Sequence, residues 1–168
     1  TTASNNVAIG YQTLDANTTG GSNTAIGGGS MSTNTTGGSN TAIGDNSLLS
    51  NTTGSNNVAI GFQALDANTT ATGNTAIGVS SLGATTTGNY NSALGYQSLY
   101  NNTTGANNTG IGHTALTANT TGADNTSLGK GSMQANTTGA NNVGLGRSAL
   151  DANTTASFNT AIGASSMT

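Results

Sequence analysis

The basic side chains of this chain are three: His113, Lys130 and Arg147, its single histidine, lysine and arginine. They follow one another at intervals of 17 residues. Imidazole, ammonium and guanidinium groups in a row bind anions through charge-assisted hydrogen bonds. Tyr11, Phe62 and Tyr96 fall at the same position of the same period, where their rings offer flat apolar faces for sugars. Single exposed aromatics are also ordinary surface features. A row of charges can equally be a solvated edge that resists aggregation. The sequence thus offers a candidate recognition strip and its bland alternative.

Catalysis is poorly served. The five acidic residues are all Asp, and Glu and Cys are absent. Asp15, Asp66 and Asp151 share one repeat position but lie several repeats apart, too far to act as a carboxylate pair. Zinc-ligand spacing is missing, as is the glycine-rich calcium nonapeptide. The glycines recur in every repeat, so they do not mark a phosphate loop. The reading is a protein that is no enzyme, with no metal or cofactor. Asn17-Thr18-Thr19 and its copies match the N-glycosylation pattern, but a repeated structural turn explains them better.

The period itself is the stronger signal. A glycine preceded by Ile or Leu recurs at Gly10, Gly27, Gly44, Gly61, Gly78, Gly95, Gly112, Gly129, Gly146 and Gly163, always 17 residues apart. Four residues before it stands Asn, from Asn6 to Asn159. Four after it comes Leu or Met, from Leu14 to Met167. Eight and nine after it come Thr pairs, which follow Asn except at Thr85. The positions two before and three after the glycine are held small, as at Ala8, Ala25, Thr13 and Ser30. The residue just after the glycine varies freely, which predicts exposure. Loop insertions are thermodynamically cheap. A period kept without slippage therefore means that each residue has a stacked partner.

Helix is disfavoured by the density of Gly, Asn, Thr and Ser. Asn23-Thr24-Ala25-Ile26 reads as a short strand, with Thr24 and Ile26 facing one way and Ala25 the other. Gly27 then permits a corner. A second short strand is expected to carry Leu or Met inward, and Asn-Thr-Thr-Gly to form a polar turn with left-handed residues. Stacked Asn amides are expected to hydrogen-bond up the rod. The predicted fold is all-β: a parallel β-solenoid, or β-roll, of ten 17-residue coils, one domain over residues 1–168, open at both ends. Two buried aliphatics per coil, the Ile and the Leu or Met, offset little of the entropy of ordering it. The small-residue face is therefore expected to be covered by another copy of the chain.

Only 4% of residues are charged, against about 25% in typical soluble proteins. A net charge of −3 gives no footing for nucleic acid. No apolar run approaches the ~20 residues of a membrane span. Absence of Cys removes any disulfide framework. Thr1 is not an initiator, so the chain reads as a fragment of a longer fibre or a processed product.

The segments Asn6-Val7-Ala8-Ile9-Gly10, Asn57-Val58-Ala59-Ile60-Gly61 and Asn159-Thr160-Ala161-Ile162-Gly163 resemble head repeats of trimeric autotransporter adhesins. Ala-Ile-Gly-Phe-Gln-Ala-Leu at residues 59–65 is similar to repeats of phage tail-fibre and surface proteins. The resemblance implies a left-handed β-roll, three chains side by side, and an extracellular place on a cell or virion surface. The coil is longer than the usual head repeat, and no neck, stalk or anchor is present. The functional expectation is a structural or adhesive fibre segment whose partners are itself, as a homotrimer or end to end, and a glycan or host receptor. The alternative is an ice-binding solenoid. Adjacent Thr residues would point to opposite faces of a strand, which weighs against it.

Overall fold

The computed structural model describes residues 2–168. Its regular elements are ten strands of three residues each and no helix. They are β1 (Val7–Ile9), β2 (Thr24–Ile26), β3 (Thr41–Ile43), β4 (Val58–Ile60), β5 (Thr75–Ile77), β6 (Ser92–Leu94), β7 (Thr109–Ile111), β8 (Thr126–Leu128), β9 (Val143–Leu145) and β10 (Thr160–Ile162). They form one parallel sheet in chain order. Thr24 pairs with Thr41, Ala25 with Ala42 and Ile26 with Ile43, and the register repeats in the other pairs, as where Thr75 meets Ser92. The chain is an all-β parallel solenoid with 17-residue coils.

Each strand ends at the invariant glycine. Gly61 has φ of +133°, and a Cβ there would lie 2.6 Å from the carbonyl oxygen of Gly78 in the next coil. Both the backbone angle and the neighbour require glycine. The chain then winds through overlapping tight turns. Ser30 donates its backbone N–H to Gly27 O, Ser32 to Gly29 O and Asn34 to Met31 O.

Here the structure corrects the sequence reading. The Leu or Met side chain does point inward: Met31, Leu48, Leu65, Leu82, Leu99, Leu116 and Met133 are fully buried. It is not carried on a second strand. Met31 has φ of +51° and Leu82 the same, within the left-handed region. Bulky residues seldom occupy that region. Contacts to the next coil hold them there, as where the Met31 N–H donates to Ser47 O at 3.1 Å. Left-handed residues also recur two positions after the glycine, as Ser80 and Thr114, and five before it, as Ser22 and Tyr90. Of the polar Asn-Thr-Thr-Gly turns, none has a left-handed residue.

The faces of the strand are also reversed from the expected covering. Ala25, Ala42, Ala59, Ala76 and Ala93 are buried inside the coil, so this small-residue file is not the surface for another chain. The Ile or Leu beside the glycine faces outward: Ile9, Ile43, Leu94, Leu128 and Ile162 are exposed. The reason is the thinness of the coil. A Cβ placed on Gly110, in the same file as Ala25, would stand 2.8 Å from Ser98 Oγ and 3.1 Å from Leu99 Cγ. At Gly110 the opposite wall would have to shift even for a methyl group, and the file as a whole holds only Ala, Gly or Ser.

Asn takes much of the rest of the interior, beside a file of small residues such as Ser30, Ala64 and Ala149. Asn74 Nδ2 donates to Gly88 O at 2.9 Å, while its Oδ1 accepts the backbone N–H of Asn91 at 2.8 Å. The second Asn file stacks amide on amide. Asn34 Nδ2 donates to Asn17 Oδ1 at 3.0 Å, and Asn51 Nδ2 to Asn34 Oδ1 at 2.7 Å. The expected amide ladders are thus two, and both are internal. Buried polar groups are tolerated because they are paired.

Candidate surface recognition strip

The variable residue after each glycine begins the turn that leaves the sheet. Its carbonyl is tied to the following coil: the N–H of Thr114 donates to Tyr96 O at 3.0 Å, and that of Gly131 to His113 O at 3.0 Å. Ser148 likewise donates to Lys130 O and Ser165 to Arg147 O. These bonds fix the file at the interstrand spacing of about 4.8 Å per coil. Its side chains project outward on the flank of the exposed Ile and Leu file.

His113, Lys130 and Arg147 are all exposed and occupy three successive coils. No ion pair engages Lys130 or Arg147 among the described residues. Tyr96, in the coil before His113, is stacked on the imidazole with ring centroids 5.2 Å apart and planes inclined by 22°. Phe62 and Val79, also exposed, precede Tyr96 in the file. Six consecutive coils therefore present Phe62, Val79, Tyr96, His113, Lys130 and Arg147, apolar at one end and basic at the other. Tyr11 is more exposed than Phe62, Val79 or Tyr96, but it lies far from this run, beyond Gly28 and Asp45. Gly28 donates its N–H to the Asp45 carboxylate at 2.9 Å, so Asp45 closes locally upon its neighbour.

The strip flanks the sheet; it does not guard a sheet edge. The edge strands are β1 and β10, whereas the basic residues follow β7, β8 and β9. A charge row meant to block edge pairing would stand on the terminal strands.

The carboxylates do not gather. Burial raises the Asp66 carboxyl above the ordinary 3.8, partly opposed by backbone hydrogen bonds from Asp66 and Ala67. The cover is visible at Gly83 in the coil between. The Tyr100 ring lies 2.8 Å from where a Gly83 Cβ would be, and Asp66 Oδ1 lies 3.4 Å from the same point. Tyr100 drapes over the missing side chain and shields Asp66. Among the described residues there is no pocket and no group of three metal-ligating side chains. No helix is long and apolar enough to cross a membrane.

Two regular surfaces were not read from the sequence. One is the outer sheet face, where Thr or Val alternates with Ile or Leu, as in Thr24–Ile26, Thr41–Ile43 and Thr75–Ile77. The other is a rank formed by the second Thr of each pair. Thr19, Thr36, Thr53, Thr70, Thr87, Thr104, Thr121, Thr138 and Thr155 are all exposed. The first Thr turns its hydroxyl along the axis instead, as where Thr35 Oγ1 donates to Thr52 O at 2.9 Å. The invariance of both Thr positions was the available signal. Their opposite roles depend on the backbone path, which the sequence does not display.

The architecture defines a class, the parallel β-solenoid built of tandem roll-like coils. No family model, curated protein or solved structure matches the chain.

Proposed function

We propose that this chain is a structural and adhesive segment of an extracellular fibre, displayed on a cell or virion surface, and that it performs no catalysis. One observation carries the reading. The coils stack in unbroken register, with backbone and Asn hydrogen bonds directed along the axis from coil to coil. Such a body resists axial deformation because every coil is held by many parallel bonds at once.

Within this reading the partner is another copy of the chain, meeting it through the outward Ile, Leu, Val and Thr face. The resemblance to adhesin head repeats supplies the rest: left-handed coils and three chains side by side. Exposed apolar patches on this scale mark interaction surfaces. Electron imaging of the assembly together with sedimentation tests both statements. Rods or fibres whose association is lost in Ile43→Lys/Ile77→Lys support them. Dispersed particles without axial order, or a monomer at all concentrations, would overturn them.

A second reading is ice binding. It is favoured by the flat outer rank, in which Thr and Ile repeat with lattice-like regularity and without charge. The Thr pairs that argued against it do not lie in strands, so the opposite-face objection does not apply. Thermal hysteresis that disappears in Thr41→Lys/Thr75→Lys would establish this function. Freezing behaviour identical to that of an inert protein would eliminate it.

A further inference from the structure

Every basic side chain of the molecule stands in a single file on three adjacent coils, and nothing in the fold requires it. The file's backbone bonds are the same whether it carries Gly28, Val79 or Lys130. Like charges stacked directly opposite one another in neighbouring strands are destabilising. A structural optimum would disperse the few positive charges of a chain with five Asp and one each of Lys and Arg. Instead, among the described residues, Lys130 and Arg147 stay unpaired in solvent beside a histidine. They also lie away from the edge strands, so protection against edge pairing does not account for them.

We infer that Tyr96, His113, Lys130 and Arg147 form a binding strip for a linear acidic carbohydrate lying along the rod axis. The chemistry of the two ends selects this ligand. Lys130 and Arg147 present donors for successive carboxylates or sulfates, with the Arg fork suited to bidentate contact. His113 adds a ring nitrogen between them and Tyr96. Tyr96, held by its stack on His113 at 5.2 Å, presents a ring for an adjoining sugar. Phe62 and Val79 extend the apolar end. The spacing of about 4.8 Å per coil sets the basic groups at near-equal intervals along a line. That geometry matches a polymer carrying one anionic group per unit better than a compact anion.

A nucleic acid is the less suitable polyanion. Its binding is driven by neutralising many phosphates, and the strip offers only Lys130 and Arg147 as fixed positive charges. The inference deepens the adhesive reading and rests on it only for where such a carbohydrate would be met. Binding by the purified chain is scored separately from fibre formation, so either can fail alone.

The test is calorimetric titration of the chain with tetragalacturonate, with neutral cellotetraose and a thymidine tetranucleotide as comparison probes. Binding of tetragalacturonate that weakens with added salt is expected. Lys130→Gln/Arg147→Gln should lower that affinity by about tenfold, a few-fold for each exposed charge contact. Tyr96→Ser should lower it while leaving its salt dependence unchanged. All three residues are exposed, and an unaltered unfolding midpoint confirms that the variants fold. Equal binding of cellotetraose, or unchanged affinity in the double variant, would overturn the inference. So would tighter binding of the nucleotide, or no tetragalacturonate binding at millimolar concentration.

Discussion

Thr85 sits one coil beyond Asn68, and Asn68 Oδ1 is left buried with no hydrogen bond. In the neighbouring copies this oxygen accepts the amide of the next Asn, as Asn51 Oδ1 does from Asn68 at 2.7 Å and Asn102 Oδ1 from Asn119 at 2.8 Å. The Thr85 hydroxyl points the other way and donates to Asn102 O at 2.9 Å. The ladder is therefore interrupted at a single rung.

Restoring that rung should stabilise the molecule. Thr85→Asn gives Asn68 Oδ1 a donor and Asn102 Nδ2 an acceptor, at the loss of one hydroxyl bond. A gain of about 1–2 kcal/mol is expected, in line with pairing a buried polar atom. Chemical denaturation measures it. A lower midpoint would mean that the Asn68 oxygen is satisfied in some other way. Ser81 Oγ is likewise buried and unbonded. Ala64 and Ala115 occupy the equivalent position, so Ser81→Ala should be neutral or mildly stabilising.

Removing a rung should do the reverse. Asn74→Ala deprives Gly88 O and the Asn91 N–H of their partners inside the coil. Each orphaned group costs about 1–3 kcal/mol, so a loss of about 2–5 kcal/mol is expected by the same measurement. Thr104→Ala, at the exposed second Thr of its pair, serves as its surface control and should change little.

The reversed strand faces can be checked by a pair of substitutions in adjacent residues. Ala76→Leu forces a large side chain into the thin interior and should destabilise by about 1–3 kcal/mol or more. Ile77→Thr alters the outer face and should cost less than about 1 kcal/mol in a single unassociated copy. If the order of the two effects were inverted, the strand would be facing the other way.

Thr114 has φ of +52° with a β-branched side chain, an expensive combination. Gly29 and Gly131 occupy the same turn position in other coils, with φ of +66° and +64°. Thr114→Gly should therefore raise stability by up to about 1 kcal/mol, since the left-handed penalty outweighs the added freedom of the unfolded chain. A thermal melt is sufficient to see it.

The Asp66 carboxyl supplies a pH dependence with a definite sign. Its folded value is raised by burial above the ordinary 3.8, so the folded state holds the proton more tightly than the unfolded chain. Its contribution is fully present below 3.8 and is lost as pH rises through the raised value. Asp66→Asn should flatten stability across that acidic window. Gly83→Ala, by displacing the Tyr100 ring, should bring the carboxyl back toward its ordinary range. Carboxyl titration followed by NMR distinguishes the two variants.

The period, the parallel stacking, the glycine corner, the inward Leu or Met and the Asn ladders were all legible, because each follows from like residues recurring at one interval. The strand faces were not. Hydropathy alone assigns Ile26 to the inside and Ala25 to an interface, whereas the distance between opposite walls admits only Ala, Gly or Ser at that point. The second strand failed for a related reason. Nothing about Leu82 suggests a left-handed backbone; only contacts with adjacent coils impose it. For the candidate strip, the sequence located the shared file. The stacking of Tyr96 on His113 comes from the folded structure alone.

Because Ala42 stands on Ala25 and Ile43 on Ile26 with the same partners below as above, each junction between coils is nearly interchangeable with any other. A gene encoding such a chain can gain or lose one whole unit by unequal crossover and still encode a foldable product, shifted in length by about 4.8 Å. Gaining or losing a number of codons that is not a multiple of 17 would set unlike residues upon one another. The molecule is in that sense a ruler graduated in single turns, whose reach evolution can reset without designing a new interior.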